Sequence, residues 1–287
     1  MFVSDTALMI KNDMSVIRPS DVGKKVLCTN CLEILLSSGA TFTVSEDFYV
    51  NFGKRYLFID DIDKSRKFSL RDYEWEPDTD NWNPVLSLED LVQDAKGTIN
   101  IGTKKFAKFA GFVCATIKPI HPRGMGFSKT ILKNNDILKE IQNNFYVVHE
   151  NNMALYVNNS KMYPILDALF DLERPSIPDE ILFTAPNKWV DSFLDGVIAG
   201  CTERNGIYTL GDTERLRWFM NDLSVLFLRR HRFMRVKISD DKYQLIPLEK
   251  PGATKILRGK YLHGKAETLY DIGKGEFNLS GLSVYCV

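Results

Sequence analysis

The sequence predicts an α+β protein in which a strand-rich domain, built from both ends of the chain, is interrupted by a duplicated helix–hairpin domain. Three observations predict it. Short runs of β-forming residues fill roughly the first seventy and last forty positions. Between them, amphipathic helical patterns alternate with hairpin patterns. That alternation occurs twice, about 85 residues apart, which points to duplication and a pseudo-twofold axis.

At 287 residues the chain is long enough for two compact domains with real cores. Its 44% hydrophobic and 11% aromatic content excludes a mainly disordered protein. No apolar run approaches the roughly 18 residues of a spanning helix, so a soluble protein without a membrane partner is expected. Met1-Phe2-Val3-Ser4-Asp5 offers no basic flank before an apolar stretch, so no secretory signal is expected. Cys28, Cys31, Cys114, Cys201 and Cys286 are odd in number and scattered, which suits a reducing, cytoplasmic compartment. Net charge is zero, but residues 1–97 carry an acidic surplus, partly in Asp72–Asp94, and residues 98–249 a slight basic one. That asymmetry permits nucleic-acid binding by the middle without demanding it.

In chain order, Val26-Leu27, Glu33–Leu36 and Thr41–Val50 read as strands, with a tight turn at Ser37-Ser38-Gly39. Residues 72–84, with Trp75, Pro77, Asp80, Asn81, Trp82 and Pro84, read as an irregular acidic connector. Ser87 is placed to cap a short helix with Glu89 and Asp90 in its first turn. The first repeat begins with a helix through Phe106, Phe109, Ala110 and Val113. A second helix follows from Asn135 or Asp136 through Ile141, then a hairpin of Phe145–Val148 and Met153–Val157 turning at Asn151-Asn152. Ser160 caps a helix running to Phe170. The second repeat has a helix through Trp189, Phe193, Leu194, Val197 and Ile198, an extended Ile207–Leu210, and a helix opening at Asp212 or Thr213. Its hairpin, Arg232–Ile238 and Lys242–Ile246, turns at Asp240-Asp241. Strand signals return at Lys255–Leu257, Thr268–Ile272 and Leu282–Tyr285. The expected division is 1–97, 98–249 and 250–287, with the first and last segments forming one domain.

These blocks, in this order, resemble inteins that carry a LAGLIDADG homing-endonuclease domain. Phe2–Ile10 with Val22–Val26 is similar to the opening intein block, and Gly39–Phe48 to the second. Leu269–Ile272 and Gly281–Cys286 are similar to the two closing blocks. Phe109–Thr116 and Phe193–Gly200, the latter preceded by Ile177–Leu182, resemble the two LAGLIDADG motifs. The resemblance spans nearly the whole chain; each block is loose, and their order is the more specific feature. It implies a β-rich, Hint-like horseshoe domain interrupted by a LAGLIDADG-type α/β saddle that straddles double-stranded DNA. It also implies that Gly111 and Gly196 lie where the motif helices meet, because a residue without Cβ lets two backbones approach.

The chemistry of such proteins is missing. Splicing needs a nucleophile at the first residue, and the matching position is Phe2. Where the second block offers Thr and His to polarise the scissile amide, this chain has Ser45 and Phe48. Where the close is His-Asn, it has Tyr285-Cys286. Cutting needs a carboxylate from the tip of each motif helix to hold Mg²⁺. The aligned positions are Thr116 and Cys201, and neither supplies an anionic oxygen. Glu203 is a possible substitute on one side, and no carboxylate lies between Thr116 and Asp136 on the other. No metal is therefore expected, and Mg²⁺ would be a cofactor only with surviving nuclease activity. Cys28-Thr29-Asn30-Cys31 has half of a zinc spacing without a matching second pair, and His121, His149, His231 and His263 show no metal spacing.

Binding is what remains. Arg229, Arg230, Arg232, Arg235 and Lys237 form the densest basic stretch, and in a strand alternate side chains share a face. Lys129 and Lys133 lie beside a short extended stretch expected between the first repeat's two helices. Such strands form the DNA-facing floor in the family that the chain resembles; the alternative is a solvated face whose long stems cover Phe233 and Val236. The expected function is DNA binding by an intein-derived protein, of a kind common in phages, that has lost splicing and cleavage. The alternatives are an active endonuclease with unconventional ligands, and a structural or interaction subunit of a larger viral or transcription assembly.

Overall fold

A computed structural model describes residues 2–10, 16–46, 48–52, 55–58, 68–69, 77, 79–93, 95–116, 125–128, 132, 137, 139, 146–150, 154–158, 162–232, 234–249, 253–280 and 282–286. The protein is mixed α+β, with six α-helices and several antiparallel sheets among the described residues. The helices are α1 (Leu88–Leu91), α2 (Lys104–Thr116), α3 (Met162–Phe170), α4 (Asp179–Thr184), α5 (Asn187–Gly200) and α6 (Arg217–Arg229). Among the described residues, no helix is long and apolar enough to cross a membrane.

The chain forms two compact units. The first comprises Met1–Glu76, Leu223–Lys237 and Ile246–Val287, and the second Pro77–Asp222 with Ile238–Leu245. The acidic segment from Pro77 onward thus groups with the second unit, where a cut at 97/98 was expected, and residues 223–237 and 246–249 of the expected 98–249 domain group with the first.

The first unit contains a closed barrel of four strands in the order Phe2–Val3, Ile256–Asp271, Lys24–Leu36, Thr41–Ser45. The two-residue strand closes the ring: Val3 pairs with Tyr270 on one side and Val44 on the other. Leu32, Ile34, Leu36, Phe42 and Val44 bury their side chains together with Val3 in one apolar cluster, each contributing about 1.5–3 kcal/mol relative to exposure. Ser37-Ser38-Gly39 makes the turn between the central strands. Gly39 supplies a φ of 96° and donates to the Leu36 carbonyl at 2.9 Å. A six-stranded sheet, Val16–Ile17, Met9–Ile10, Gly275–Leu279, Leu282–Cys286, Phe48–Phe52, Arg55–Phe58, joins both ends of the chain.

The expected pairs of short strands at 26–36 and 255–272 are each one long strand, Lys24–Leu36 and Ile256–Asp271. The two pair antiparallel, with a register slip between His263 and Glu267. Residues 259–260 and 263–266 are exposed, so no alternation of apolar and polar residues marked the middle of the second strand.

In the second unit, α2 opens at Thr103, whose Oγ1 accepts from the Phe106 amide at 3.1 Å. Ser87 precedes α1 but makes no side-chain cap; the Leu88 amide donates instead to the Gly97 carbonyl at 2.9 Å. Trp82 of the acidic segment meets Trp189 edge-on at 5.8 Å, and the Trp189 indole donates to the Ile101 carbonyl at 2.7 Å. Phe193 stacks between Trp189 and Phe170 and meets Phe219 edge-on.

Both repeats build the same sheet. After α2, strands Met125–Ser128, Ala154–Asn158 and Tyr146–Glu150 lie in that order. After α5, the order is Thr202–Arg204, Ile207–Leu210, Lys242–Pro247, Met234–Ser239, the same arrangement with one strand added at the edge. The added strand turns through Asn205-Gly206, both at positive φ, into its neighbour. Asp212 Oδ1 accepts from the Glu214 and Arg215 amides at 3.1 Å and starts the turn that leads into α6. The final hairpin turns at Asp240-Asp241 as expected, with φ of 50° and 56°. Its first strand begins at Met234 rather than Arg232. The reason is how α6 ends: His231 takes φ 51°, its amide donates to the Leu228 carbonyl and that of Arg232 to the Phe227 carbonyl, a left-handed helix stop. Asn151-Asn152, Ser160, and all but positions 137 and 139 of the helix expected from 135 to 141 lie outside the described residues.

Candidate functional site

α2 and α5 cross at their glycines. A Cβ on Gly111 would stand 2.1 Å from the Phe193 carbonyl oxygen and 3.1 Å from the Val197 nitrogen. One on Gly196 would stand 1.9 Å from the Lys108 oxygen and 3.0 Å from the Phe112 nitrogen. Phe193 follows Lys108, and Val197 follows Phe112, by the same interval that separates Gly111 from Gly196. The contact is therefore reciprocal, as an isologous twofold interface must be. Gly200 extends it, since a Cβ there would lie 2.8 Å from that of Ala115 and 2.9 Å from Thr116 Cγ2.

The helix tips repeat the symmetry. Thr116 Oγ1 donates to the Phe112 carbonyl at 2.7 Å, and Cys201 Sγ to the Val197 carbonyl at 3.3 Å. Each side chain folds back on its own helix. Burial pushes the Cys201 thiol up to about 12, so it stays protonated at neutral pH. Glu203 is exposed on the edge strand and accepts from the Gly206 amide at 3.4 Å, along its own hairpin. Beneath the first tip, the buried Arg215 donates to the Cys114 and Leu172 carbonyls at 3.4 and 3.2 Å. The first of these places a cation at the carbonyl end of α2. No group of three or more His, Cys, Asp or Glu side chains able to hold a metal is present among the described residues.

The second sheet has one buried apolar face and one more exposed face of mixed character, on which Ile207 lies with the polar residues. Leu210 pairs with Tyr243 and Tyr208 with Leu245, and Leu210, Tyr243 and Leu245 are buried. The alternate residues Thr202, Thr209 and Gln244 share a cross-strand row on the other face, with Arg204 and Lys242 exposed at neighbouring positions. Along Met234–Ser239, Val236 is buried while Arg235 and Lys237 are exposed. Arg229 is 2% exposed in the last turn of α6, and Arg230 and Arg232 are half-buried around the helix stop. Lys129 and Lys133 lie outside the described residues. The strand of Lys242 was expected although that residue was not singled out; the strand of Arg204 was missed, and the Asn205-Gly206 dipeptide, a strong hairpin signal, would have revealed it.

No known family model and no curated protein matches the chain.

The positions aligned with splicing chemistry converge in the first unit. The Phe2 amide donates to Ser45 Oγ at 3.3 Å, and Ser4 and Thr43 exchange bonds at 2.8 Å beside it. In the six-stranded sheet Phe48 pairs with Cys286 and Tyr49 with Tyr285. Strands from the two ends of the chain thus meet at Ser45 and Phe48, and the Ser45 hydroxyl there holds a backbone amide.

Proposed function

We propose that this chain is an intein-derived, homing-endonuclease-like protein that binds double-stranded DNA and neither splices nor cuts it. The observation that carries the reading is the reciprocal crossing at Gly111 and Gly196, followed in both repeats by the same sheet order. A duplicated helix pair with a sheet on each repeat is the arrangement expected of a LAGLIDADG-type saddle. The Phe2–Ser45 bond supports the Hint-like reading of the first unit, because it joins the two positions that the resemblance assigns to the scissile amide and its polarising side chain. Loss of cutting is supported by Thr116 and Cys201, which spend their polar hydrogens on their own helix carbonyls. The DNA-facing candidates are Arg204 and Lys242, cationic and exposed beside the row Thr202, Thr209 and Gln244, and the exposed Arg235 and Lys237 of Met234–Ser239.

The test is fluorescence anisotropy with a random DNA duplex at several salt concentrations. Wild type should bind with affinity falling steeply as salt rises. Arg235→Glu with Lys237→Glu should weaken binding across all sequences and lower the log–log salt slope by about one for each phosphate no longer neutralised. Salt-independent binding, or none, would overturn the DNA reading. A Mg²⁺-dependent plasmid nick that disappears in Glu203→Ala would overturn the loss of cutting.

A further inference from the structure

Cys28 and Cys31 are absorbed by neither reading above. In an unbroken strand, residues three apart are separated by about 10 Å, too far for their side chains to meet. Here the Cys31 Sγ lies 3.6 Å from the Cys28 carbonyl oxygen, so the strand is drawn in between the two cysteines. The pairing is irregular at the same place: Cys31 pairs with Leu262 and Cys28 with Glu267, so three steps on this strand face five on its partner, which carries the bulge. Cys28 is half-buried and open to a small reagent, whereas Cys31 is buried. Burial, and next the Cys28 thiol, push Cys31 up to about 11, which makes Cys28 the better first nucleophile. A zinc site would need further ligands. Cys28 and Cys31 belong to no metal-holding group among the described residues, and Glu267 is ion-paired with Lys265 at 3.0 Å.

We propose that Cys28 and Cys31 are a redox-active dithiol, converted to an intramolecular disulfide by exchange with a small disulfide such as oxidised glutathione. The Cys28 thiolate attacks one sulfur of oxidised glutathione, forming a mixed disulfide and releasing one glutathione thiol. The Cys31 thiolate then attacks the Cys28 sulfur, closing the Cys28–Cys31 bond and releasing the second glutathione. The protein gives up two electrons and two protons, and the glutathione disulfide takes them. The bond would pin the drawn-in segment of a strand whose Cys31 lies directly across from Ser45, the acceptor of the Phe2 amide. Oxidation is thereby coupled to the socket of the strand that closes the barrel.

The test is peptide mapping of the full-length protein after incubation with oxidised glutathione and alkylation of the remaining thiols. Wild type should yield a Cys28–Cys31 linked peptide and no lasting glutathione adduct. Cys31→Ala should keep a glutathione adduct on Cys28, because nothing resolves it. Cys28→Ala should be modified at Cys31 at least about tenfold more slowly than Cys31→Ala is at Cys28. Wild type with both thiols still alkylated, a persistent adduct on Cys28, or a different linked pair would each overturn the proposal. The wild-type map decides the question even if a variant fails to fold.

Discussion

Gly111 and Gly196 show how one missing carbon shapes the second unit. Either methyl would sit about 2 Å from a backbone oxygen of the facing helix, and backbone yields less readily than a side-chain tip. Gly111→Ala or Gly196→Ala should each lower stability by about 3 kcal/mol or more, read from urea unfolding midpoints. Gly211→Ala, with nothing within 4 Å of the added carbon, should change it by under about 0.5 kcal/mol. Equal effects at all three sites would deny the close crossing. The glycines were legible only through the motifs that carry the resemblance, which implies two helices meeting where a residue without Cβ lets their backbones approach. The basic cluster was less legible. Counting charges from Arg229 to Lys237 cannot reveal that Arg229 ends up buried while Arg235 and Lys237 remain exposed. That split depends on where the helix stops, which His231 decides by adopting a left-handed backbone.

At the scale of elements, the two hairpins of the second sheet use the same type of turn with different residues. Asn205-Gly206 meets the requirement for two positive φ angles with a preferred pair, while Asp240-Asp241 meets it with two branched side chains. Asp241→Gly should therefore stabilise the protein by about 1 kcal/mol, seen as a higher thermal midpoint, because φ 56° costs glycine nothing. A lower midpoint would show that the Asp241 side chain holds something else. The helix–hairpin alternation was readable because apolar spacing follows burial on one side of each element. The long ribbon of Lys24–Leu36 and Ile256–Asp271 was not. Where a strand is largely exposed, as from His263 to Ala266, its pattern carries no period. Its glycines and lysines read as loop.

For the whole molecule, the strand-rich character of both ends was legible in composition, but the ring they form was not. Val3 is tied at once to Val44 and Tyr270, and nothing local in the chain announces a partnership at that separation. A chain stopped after residue 255 lacks the long strand Ile256–Asp271. It should lose the cooperative unfolding of the first unit while keeping helical circular dichroism from the second. Retention of two unfolding transitions would show that the ring is dispensable. The same tie sets the order of events at the ribosome. The α2–α5 pair and the hairpin of the first repeat find their partners between residues 77 and 222 and are free to form once that stretch has emerged, whereas Lys24–Leu36, paired early with Thr41–Ser45, must wait with its other edge bare for a partner made some 200 residues later. During that wait the nascent chain offers unsatisfied amides and carbonyls to any passing strand, so its yield in the cell should depend on chaperone supply and on how quickly translation reaches the final segment.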